Sequence, residues 1–484
     1  MKAIIPEFDE NSARPLYLQL YDYIKREILS GEMDPNEKLP SLRNLSEKLK
    51  LSITTINLAY SQLNVEGYIY SRPQSGYYVS NILHRGKVKV EEKKKAGSFH
   101  ETEYSLFPVD VEKTDESSIF QYDLSCFDFN KWKKCMNKVL TEYPQLLMFE
   151  SDPQGELALR YEISKYIYRA RGVICNPEQI VIGAGTQQIT SHLCLILSKL
   201  GINHVAVEEP GYLPVKNMFR DRGFVMTPVD VDKEGIRIGK LPANIRSAVY
   251  VSPSNQFPTG AVIPISKRYQ LLEWANHNNS IIIEDDYDSE LRYFGKPVSA
   301  LQGLDHNQRV VYLGSFSSTL FSSIKISYMV LPAGMADLFK EIGHGYTQTC
   351  SKTEQLTLAL FMEQGLYQTH IKKLRHLYSQ KLQKVISSIN KYGKGIISPT
   401  NTSSGINMIM NVQSRKNAEK LCCEAKTLGV SATPVSIYAD DPEGQQSTAL
   451  VFYYNQIPIQ KIEGTIKALI EKWTEDKGKD CFSE

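Results

Sequence analysis

The acidic run EDDYDSE at residues 284–290 is the segment whose residue types most directly suggest chemistry. Carboxylates placed this close together make each other harder to ionise, so the run needs a compensating cation. Asp285 could pair with a protonated pyridinium nitrogen, and Tyr287 could reach a phenolic oxygen on the same ring, which would let the ring act as an electron sink. The run lacks the histidine partners of a metal site, and this favours the ring nitrogen as the cation.

Other polar segments are suited to hold the phosphate and the ring of such a molecule. In GAGTQQ at 183–188, backbone amides and the Thr186 hydroxyl could bind a phosphate where a helix begins. Tyr212 could lie flat against a planar ring, and Asn255 could donate a hydrogen bond to it. The candidate site residues are therefore Gly185, Thr186, Gln187, Tyr212, Asn255, Asp285 and Tyr287.

Each of these segments is placed at the end of a short apolar run, and helical stretches lie between the runs. Continuous apolar strands that alternate with helices are typical of a mainly parallel sheet covered on both faces. Ligands in such folds bind at the carboxyl ends of the strands, which is where the polar segments stand. The predicted strands are residues 180–183, 204–208, 248–252, 280–284 and 310–314.

The first eighty residues follow a different pattern. Apolar residues recur at helical spacing over 16–28. Ser41 and Ser52 could each cap a further helix on either side of a short turn, which predicts a helix-turn-helix. Alternating segments at 68–70 and 77–79 predict a hairpin after it.

The second helix of this motif would carry hydrogen-bonding side chains on its outer face, which suit base edges and phosphates. Its predicted buried residues are Ile56, Ala59, Leu63 and Val65, which leaves Thr54, Thr55, Asn57, Tyr60 and Ser61 among the outward ones. The same small module could instead serve a protein contact, because its local charge is only mildly basic.

Length and composition limit the class of protein. A chain of 484 residues is too long for one hydrophobic core and predicts two or three compact units. The formal net charge of +2 gives no overall attraction to nucleic acid or membrane. Neither a membrane span nor a signal peptide is recognisable, and the eight cysteines lack metal-site or disulfide spacing. We therefore expect a cytoplasmic protein without a metal or a membrane partner.

The segment LPSLRNLSEKLKLSITTINLAYSQLNVEGYIYSRPQSGYYV closely resembles the GntR-type winged helix. The resemblance implies double-stranded DNA as a partner, with Arg43 and Arg72 on phosphate or groove. The family's arginine after the capping serine is Ile53 here, and an arginine that reads a base is typically worth about 1 to 3 kcal/mol. The predicted DNA contacts are Arg43, Ser52, Thr54, Thr55, Asn57, Tyr60 and Arg72.

In order and spacing, the later segments resemble those of fold-type I aminotransferases, which use pyridoxal 5'-phosphate (PLP). With the winged helix joined to them, they resemble MocR-type GntR regulators. The resemblance implies a winged helix at 12–80, a charged linker at 81–117 and an α/β aminotransferase-like domain at 118–475. It also implies a mainly parallel central sheet, a smaller C-terminal α+β subdomain, and phosphate binding by Ser317 and Lys325.

The sequence departs from this family where the Schiff-base lysine is expected. The family segment GTFSKTL reads GSFSSTL here, so Ser318 stands where a lysine would form an imine with the PLP aldehyde. Lys325 replaces a phosphate-binding arginine, and Pro214 and Gln456 stand where arginines would bind an amino-acid carboxylate. These departures fit a site that senses another ligand, noncovalent PLP binding, or a deliberate exchange of the lysine.

Together these patterns predict a DNA-binding transcription regulator that forms a homodimer and senses a small-molecule effector with its aminotransferase-like domain. PLP would bind noncovalently at most, and no catalytic residue is expected. The alternative is a PLP-dependent aminotransferase with a DNA-binding appendage, which the missing lysine disfavours.

Overall fold

The computed structural model describes Phe8 and residues 14–81, 124–293, 298–402, 404–440 and 448–474. The chain divides into two compact units, Met1–Asp110 and Val111–Glu484. Apart from residue 81, the predicted linker at 81–117 lies outside the described residues. The domain bounds inferred from the sequence therefore stay predictions.

The N-terminal unit is a three-helix module followed by a hairpin. Both predicted caps are confirmed: Ser41 accepts a hydrogen bond from the Asn44 amide at 3.3 Å, and Ser52 accepts one from the Thr55 amide at 3.1 Å. These caps satisfy amides that the first turn of a helix leaves without a partner. The elements are α1 Leu16–Leu29, α2 Leu42–Leu49, α3 Ile53–Val65, β1 Ile69–Arg72 and β2 Gly76–Val79, with β1 and β2 antiparallel.

Two predictions for α3 are wrong. Tyr60 does not face outward: its side chain is fully buried, and its hydroxyl donates a hydrogen bond to the Pro40 carbonyl oxygen at 3.1 Å. Val65, predicted to be buried, is 82% exposed at the last position of the helix. The apolar stripe of α3 is therefore formed by Ile56, Ala59, Tyr60 and Leu63, a spacing of three, one and three residues that keeps them on one face.

The C-terminal unit is built on an eight-stranded mixed sheet, in the order β3-β10-β9-β8-β7-β4-β5-β6. All five predicted strands are present. The pairs β4–β5, β4–β7, β7–β8 and β8–β9 are parallel, whereas β10 is antiparallel to β3 and β9, and β6 to β5. The strands are β3 Ile180–Ala184, β4 His204–Glu209, β5 Val225–Asp232, β6 Gly235–Ile236, β7 Ala248–Val251, β8 Ile281–Asp285, β9 Val310–Ser315 and β10 Ile326–Val330.

Helices cover both faces of this sheet. Val205 and Val207 of β4 pack into one apolar cluster, while Ala206 between them packs into another on the opposite face. This alternation explains why the strands read as continuous apolar runs, since both faces are buried. The helices are α4 Phe129–Glu142, α5 Leu157–Arg171, α6 Thr186–Lys199, α7 Leu213–Asp221, α8 Ile265–His277, α9 Ala333–Gly343, α10 Lys352–Glu363 and α11 Leu366–Tyr392.

A smaller α+β subdomain follows α11, as expected. Its four strands form an antiparallel sheet in the order β11-β12-β14-β13, and its helices pack on that sheet through a cluster that includes Leu421, Phe452 and Trp473. The elements are β11 Ile397–Thr400, β12 Met408–Val412, α12 Ala418–Thr427, β13 Ala432–Pro434, β14 Ala449–Phe452 and α13 Ile462–Thr474. Among the described residues, no helix is both long and apolar enough to cross a membrane.

The burial of Tyr60 predicts that it stabilises the winged helix. Tyr60→Phe removes the hydrogen bond to Pro40 and should cost about 1 kcal/mol, while Tyr60→Ala should cost about 3 to 5 kcal/mol because it also leaves a cavity. Native-state hydrogen exchange of the α3 amides in the full chain measures both losses. Ser61→Ala, at an exposed position of α3, is the control; unchanged α3 protection in Tyr60→Ala would contradict the core role.

Candidate functional site

A cavity of about 820 Å³ opens at the carboxyl ends of the central strands. Ala184, Asp285 and Ser315, which end β3, β8 and β9, all line it. Eight of the nine residues predicted to bind a cofactor are among its lining residues: Gly185, Thr186, Gln187, Tyr212, Asp285, Tyr287, Ser317 and Lys325. The structure therefore brings together segments that lie up to 140 positions apart, from 185 to 325.

One end of the cavity is suited to a phosphate. Gly185 has a φ of +88° and turns the chain from β3 into α6, so that Thr186 and Gln187 begin the helix. The Ser317 hydroxyl and the exposed Lys325 line the same cavity. Amides at a helix N-terminus, hydroxyls and one ammonium group are the donors that bind phosphate.

Asp285 provides a buried negative charge at this cavity. It is 9% exposed and accepts a hydrogen bond from the Tyr250 hydroxyl. Burial raises the pKa of Asp285 to about 7, and the Tyr250 hydrogen bond opposes that rise. A cation placed against Asp285 would favour its ionised form. A protonated pyridine nitrogen would be such a cation, and an ionised carboxylate would in turn stabilise its proton.

Aromatic side chains form another wall. Phe257 meets the rings of Tyr212, Tyr287 and Tyr438 edge to face, with ring centroids 5.9, 6.0 and 4.8 Å apart. The Tyr287 hydroxyl is buried and has no hydrogen-bond partner among the described residues. An unpaired buried hydroxyl costs free energy, so a ligand oxygen at this position would be stabilising.

Asn255 is the predicted cofactor residue that the structure does not place on the cavity. It is 3% exposed and lies beside a separate small void with Arg171 and Ser254. Its amide oxygen accepts a hydrogen bond from the Ser404 hydroxyl at 3.2 Å. The hydrogen bond to Ser404 joins the turn after β7 to the smaller subdomain, and the contact of Asn255 with a ring stays a prediction.

Other lining residues were missed by the sequence interpretation. Tyr438 and Tyr453 come from the smaller subdomain, more than 140 residues after the acidic run, and no local pattern indicates them. Asp288 belongs to that run and was not assigned a role. It is 1% exposed, and neither carboxylate oxygen makes a well-formed hydrogen bond with the described residues.

Buried polar contacts hold the walls in place. Arg171 donates to both oxygens of Asp286, at 2.7 and 2.8 Å, and also to Ser254 at 2.6 Å. Lys216 is 1% exposed and bridges Glu209 at 2.5 Å and Asp440 at 2.8 Å, which ties α7 to the segment that carries Tyr438. Paired charges of this kind are strongly destabilising when one partner is removed, so they fix the loops at the mouth of the cavity.

The winged helix presents a second candidate site. Of the predicted DNA contacts, Arg43, Ser52, Thr54, Asn57 and Arg72 are exposed and Thr55 is half-buried, whereas Tyr60 is excluded by its burial. The Ser52 and Thr55 hydroxyls lie 2.8 Å apart. The Arg72 guanidinium stacks on Tyr78 at 4.6 Å from the ring centroid and donates to the Tyr70 hydroxyl at 2.8 Å, which orients it on the hairpin.

The fold and the cavity define a class of protein in which a winged helix precedes a fold-type I aminotransferase-like domain. Residues 16–79 match the family model described as bacterial regulatory proteins, gntR family, and residues 121–438 match aminotransferase class I and II. The chain belongs to the family of HTH-type transcriptional regulators that combine these two domains.

Particular relatives extend this finding over most of the chain. It is 37% identical to the HTH-type transcriptional regulator YdeL of Bacillus subtilis, covering 90% of this chain and 92% of the relative. It is 29% identical to the probable rhizopine catabolism regulatory protein MocR of Rhizobium meliloti, covering 88% of each. The kynurenine aminotransferase of Pyrococcus horikoshii matches with a TM-score of 0.65 at 22% identity, covering 76% of this chain and 93% of that one, and shows the fold alone.

Burial of Glu208, the residue before the last one of β4, predicts that stability depends on pH. It is 3% exposed, one of its oxygens has no partner among the described residues, and burial raises its pKa to about 8. The unfolded chain loses this proton near the ordinary pKa of about 4.3. The stability that Glu208 contributes is thus complete below about pH 4 and is lost as the pH rises to about 8.

Glu208→Gln has no proton to lose, so its melting temperature relative to the natural chain should rise between pH 5 and pH 8. Differential scanning calorimetry across this range measures the difference. Glu273→Gln, at an exposed position of α8, should show a constant difference. A Glu208→Gln difference that also stays constant would contradict the raised pKa.

Proposed function

We propose that this protein regulates transcription by binding double-stranded DNA through its winged helix, and that its aminotransferase-like domain binds a small-molecule effector without transaminating it. The observation that carries the proposal is the composition of the cavity. Among the described residues, its lining includes Asp285, Tyr287 and Ser317, which suit PLP, together with Ser318, and the one lysine there is the exposed Lys325.

The residues of the cavity fit PLP at three points. Thr186, Ser317 and Lys325 would hold its phosphate, and the buried Asp285 would pair with its ring nitrogen. The unpartnered Tyr287 hydroxyl would donate to its phenolic oxygen. When bound, PLP supplies an electron-withdrawing ring. The aminotransferase structure of Pyrococcus horikoshii, which was solved with PMP, supports a ligand of this type through its fold.

Ser318 is the reason to propose noncovalent binding. A serine hydroxyl cannot form an imine with an aldehyde, and it cannot move protons as a lysine amine does. Lys325 is an unsuitable replacement, because it lies beside Gly185 at the phosphate end, where a Cβ on that glycine would be 3.9 Å from the Lys325 Cδ. Pro214 on the cavity wall offers no cation for an amino-acid carboxylate.

We also propose that the protein is a homodimer. Exposed apolar side chains concentrate between α4 and α5, where seven large ones are 37% to 82% exposed: Leu140, Tyr143, Leu146, Met148, Phe149, Leu157 and Tyr161. Apolar surface of this density is typical of an interface. A dimer would present two winged helices, which suits paired half-sites in DNA.

The DNA-binding proposal predicts a steep loss of affinity with salt for a duplex from upstream of the protein's own gene, because phosphate contacts release counterions. Arg72→Ala should weaken binding about tenfold and reduce the salt slope by about one. Fluorescence anisotropy at several salt concentrations measures both. Lys467→Ala, which removes an exposed cation from α13, should change neither; a salt-insensitive affinity would favour the protein-contact function instead.

The cofactor proposal predicts that PLP binds reversibly and is removed by dialysis, even after borohydride treatment. Ser318→Lys should instead gain a borohydride-stable PLP adduct at residue 318, because its amine can condense with the aldehyde. Ser323→Lys, which adds a lysine at an exposed position of the same segment, is the matched control. Mass spectrometry of tryptic peptides locates any adduct. A lysine-linked adduct in the natural chain would support the aminotransferase alternative.

A further inference from the structure

Asp288 is a buried carboxylate that the proposed PLP contacts leave unused. Its side chain lines the large cavity and is 1% exposed, and neither of its oxygens makes a well-formed hydrogen bond with the described residues. Its backbone has a φ of +55°, an uncommon conformation for aspartate that fixes the direction of the side chain. A carboxylate held in this way needs a donor or a cation from outside the chain.

The neighbours of Asp288 do not meet that need. Ser318 and the Ile406 amide lie close enough to oppose the effect of burial, which nevertheless raises the pKa of Asp288 to about 6. Arg171 and Arg292 line the small void with Asp288, but neither donates a hydrogen bond to its carboxylate, and Arg171 is already paired with Asp286. At neutral pH, Asp288 is therefore mainly a carboxylate with two weak neutral donors.

The charges of the cavity lining point to what is missing. Among the described residues that line it, the acidic and basic side chains are two carboxylates, Asp285 and Asp288, and one ammonium group, Lys325. A pyridine phosphate would use Lys325 at its phosphate and Asp285 at its ring nitrogen. Asp288 would remain without a cation unless the ligand carries one more positive charge.

The position of Ser318 indicates where the positive charge of the ligand would lie. Ser318 lies next to Asp288. The family resemblance implies a lysine at this position, whose amine would reach the carbon that carries the aldehyde of PLP. With a serine there, the volume of a lysine side chain and its ammonium charge are both absent from this wall. A ligand with its own ammonium group on that carbon would replace the charge and donate hydrogen bonds to Asp288.

We propose that Asp288 is the binding subsite for a primary ammonium group, so that the cavity selects the aminomethyl form of the cofactor, pyridoxamine 5'-phosphate, over its hydroxymethyl and aldehyde forms. This inference rests on the proposed cofactor site. Pyridoxamine 5'-phosphate has a donor cation where pyridoxine 5'-phosphate has a hydroxyl and PLP an acceptor oxygen. Asp288 is thus a specificity-determining residue, and the sensed signal is the amino form of the cofactor.

The test compares the three phosphates by isothermal titration calorimetry with the full chain. Pyridoxamine 5'-phosphate should bind about tenfold to a hundredfold more tightly than pyridoxine 5'-phosphate. A hydrogen bond between two charged groups increases the affinity by about this factor relative to a hydrogen bond from a neutral donor. Asp288→Asn should bring the ratio of the two affinities close to one. Asparagine is isosteric and tolerates a positive φ, so the backbone is retained. Asp337→Asn, which removes an exposed carboxylate of α9, should leave the ratio unchanged.

The outcomes separate this inference from the proposed function. If the natural chain binds both compounds equally, or if Asp288→Asn keeps the preference, the Asp288 subsite is wrong and the cofactor site stands. If none of the three phosphates binds the natural chain, the proposed cofactor site fails and the subsite fails with it. The ratio in the natural chain tests the inference even if Asp288→Asn does not fold.

Discussion

Four carboxylates within five residues are buried where β8 ends, and the surrounding structure has to provide each with a partner. Glu284 accepts the amides of Leu301 and Gln302 at 2.7 and 2.8 Å. Asp286 pairs with Arg171, and Asp285 accepts the Tyr250 hydroxyl. Because a buried anion without a partner is costly, these contacts fix where the neighbouring segments lie.

One run serves both the fold and the site because its carboxylates meet different neighbours. Glu284 and Asp286 point to the side where backbone amides and Arg171 meet them, so they act as structural anchors. Asp285 and Asp288 line the cavity, where their described neighbours are the hydroxyls of Tyr250 and Ser318. The run therefore divides into charges that the chain satisfies itself and charges that it leaves for a ligand.

Much of this could be predicted from the sequence, because the signals are local. Apolar runs identified the five predicted strands, and the serines identified two helix caps. The polar segments at strand ends identified six residues of the cavity, and the family resemblance added Ser317 and Lys325. Tyr60 and Val65 could not be assigned correctly, because near the edge of a helical stripe the packing of the neighbouring helices decides which side chain is covered. Asn255 follows the right strand, but its side chain accepts a hydrogen bond from Ser404 beside a separate small void.

The sequence by itself determined the two domains, the type of fold and the absence of a lysine at residue 318, since each depends on residue identity and short-range spacing. Only the tertiary structure decided that Tyr438 and Tyr453 line the cavity and that Asp288 faces it without a well-formed hydrogen bond to the described residues. Those facts depend on how the smaller subdomain packs against the strand ends, a long-range arrangement that no local pattern encodes. The position of Arg171 at the end of α5 explains why Asp286 is paired with a cation, although Asp288 lies only two positions away.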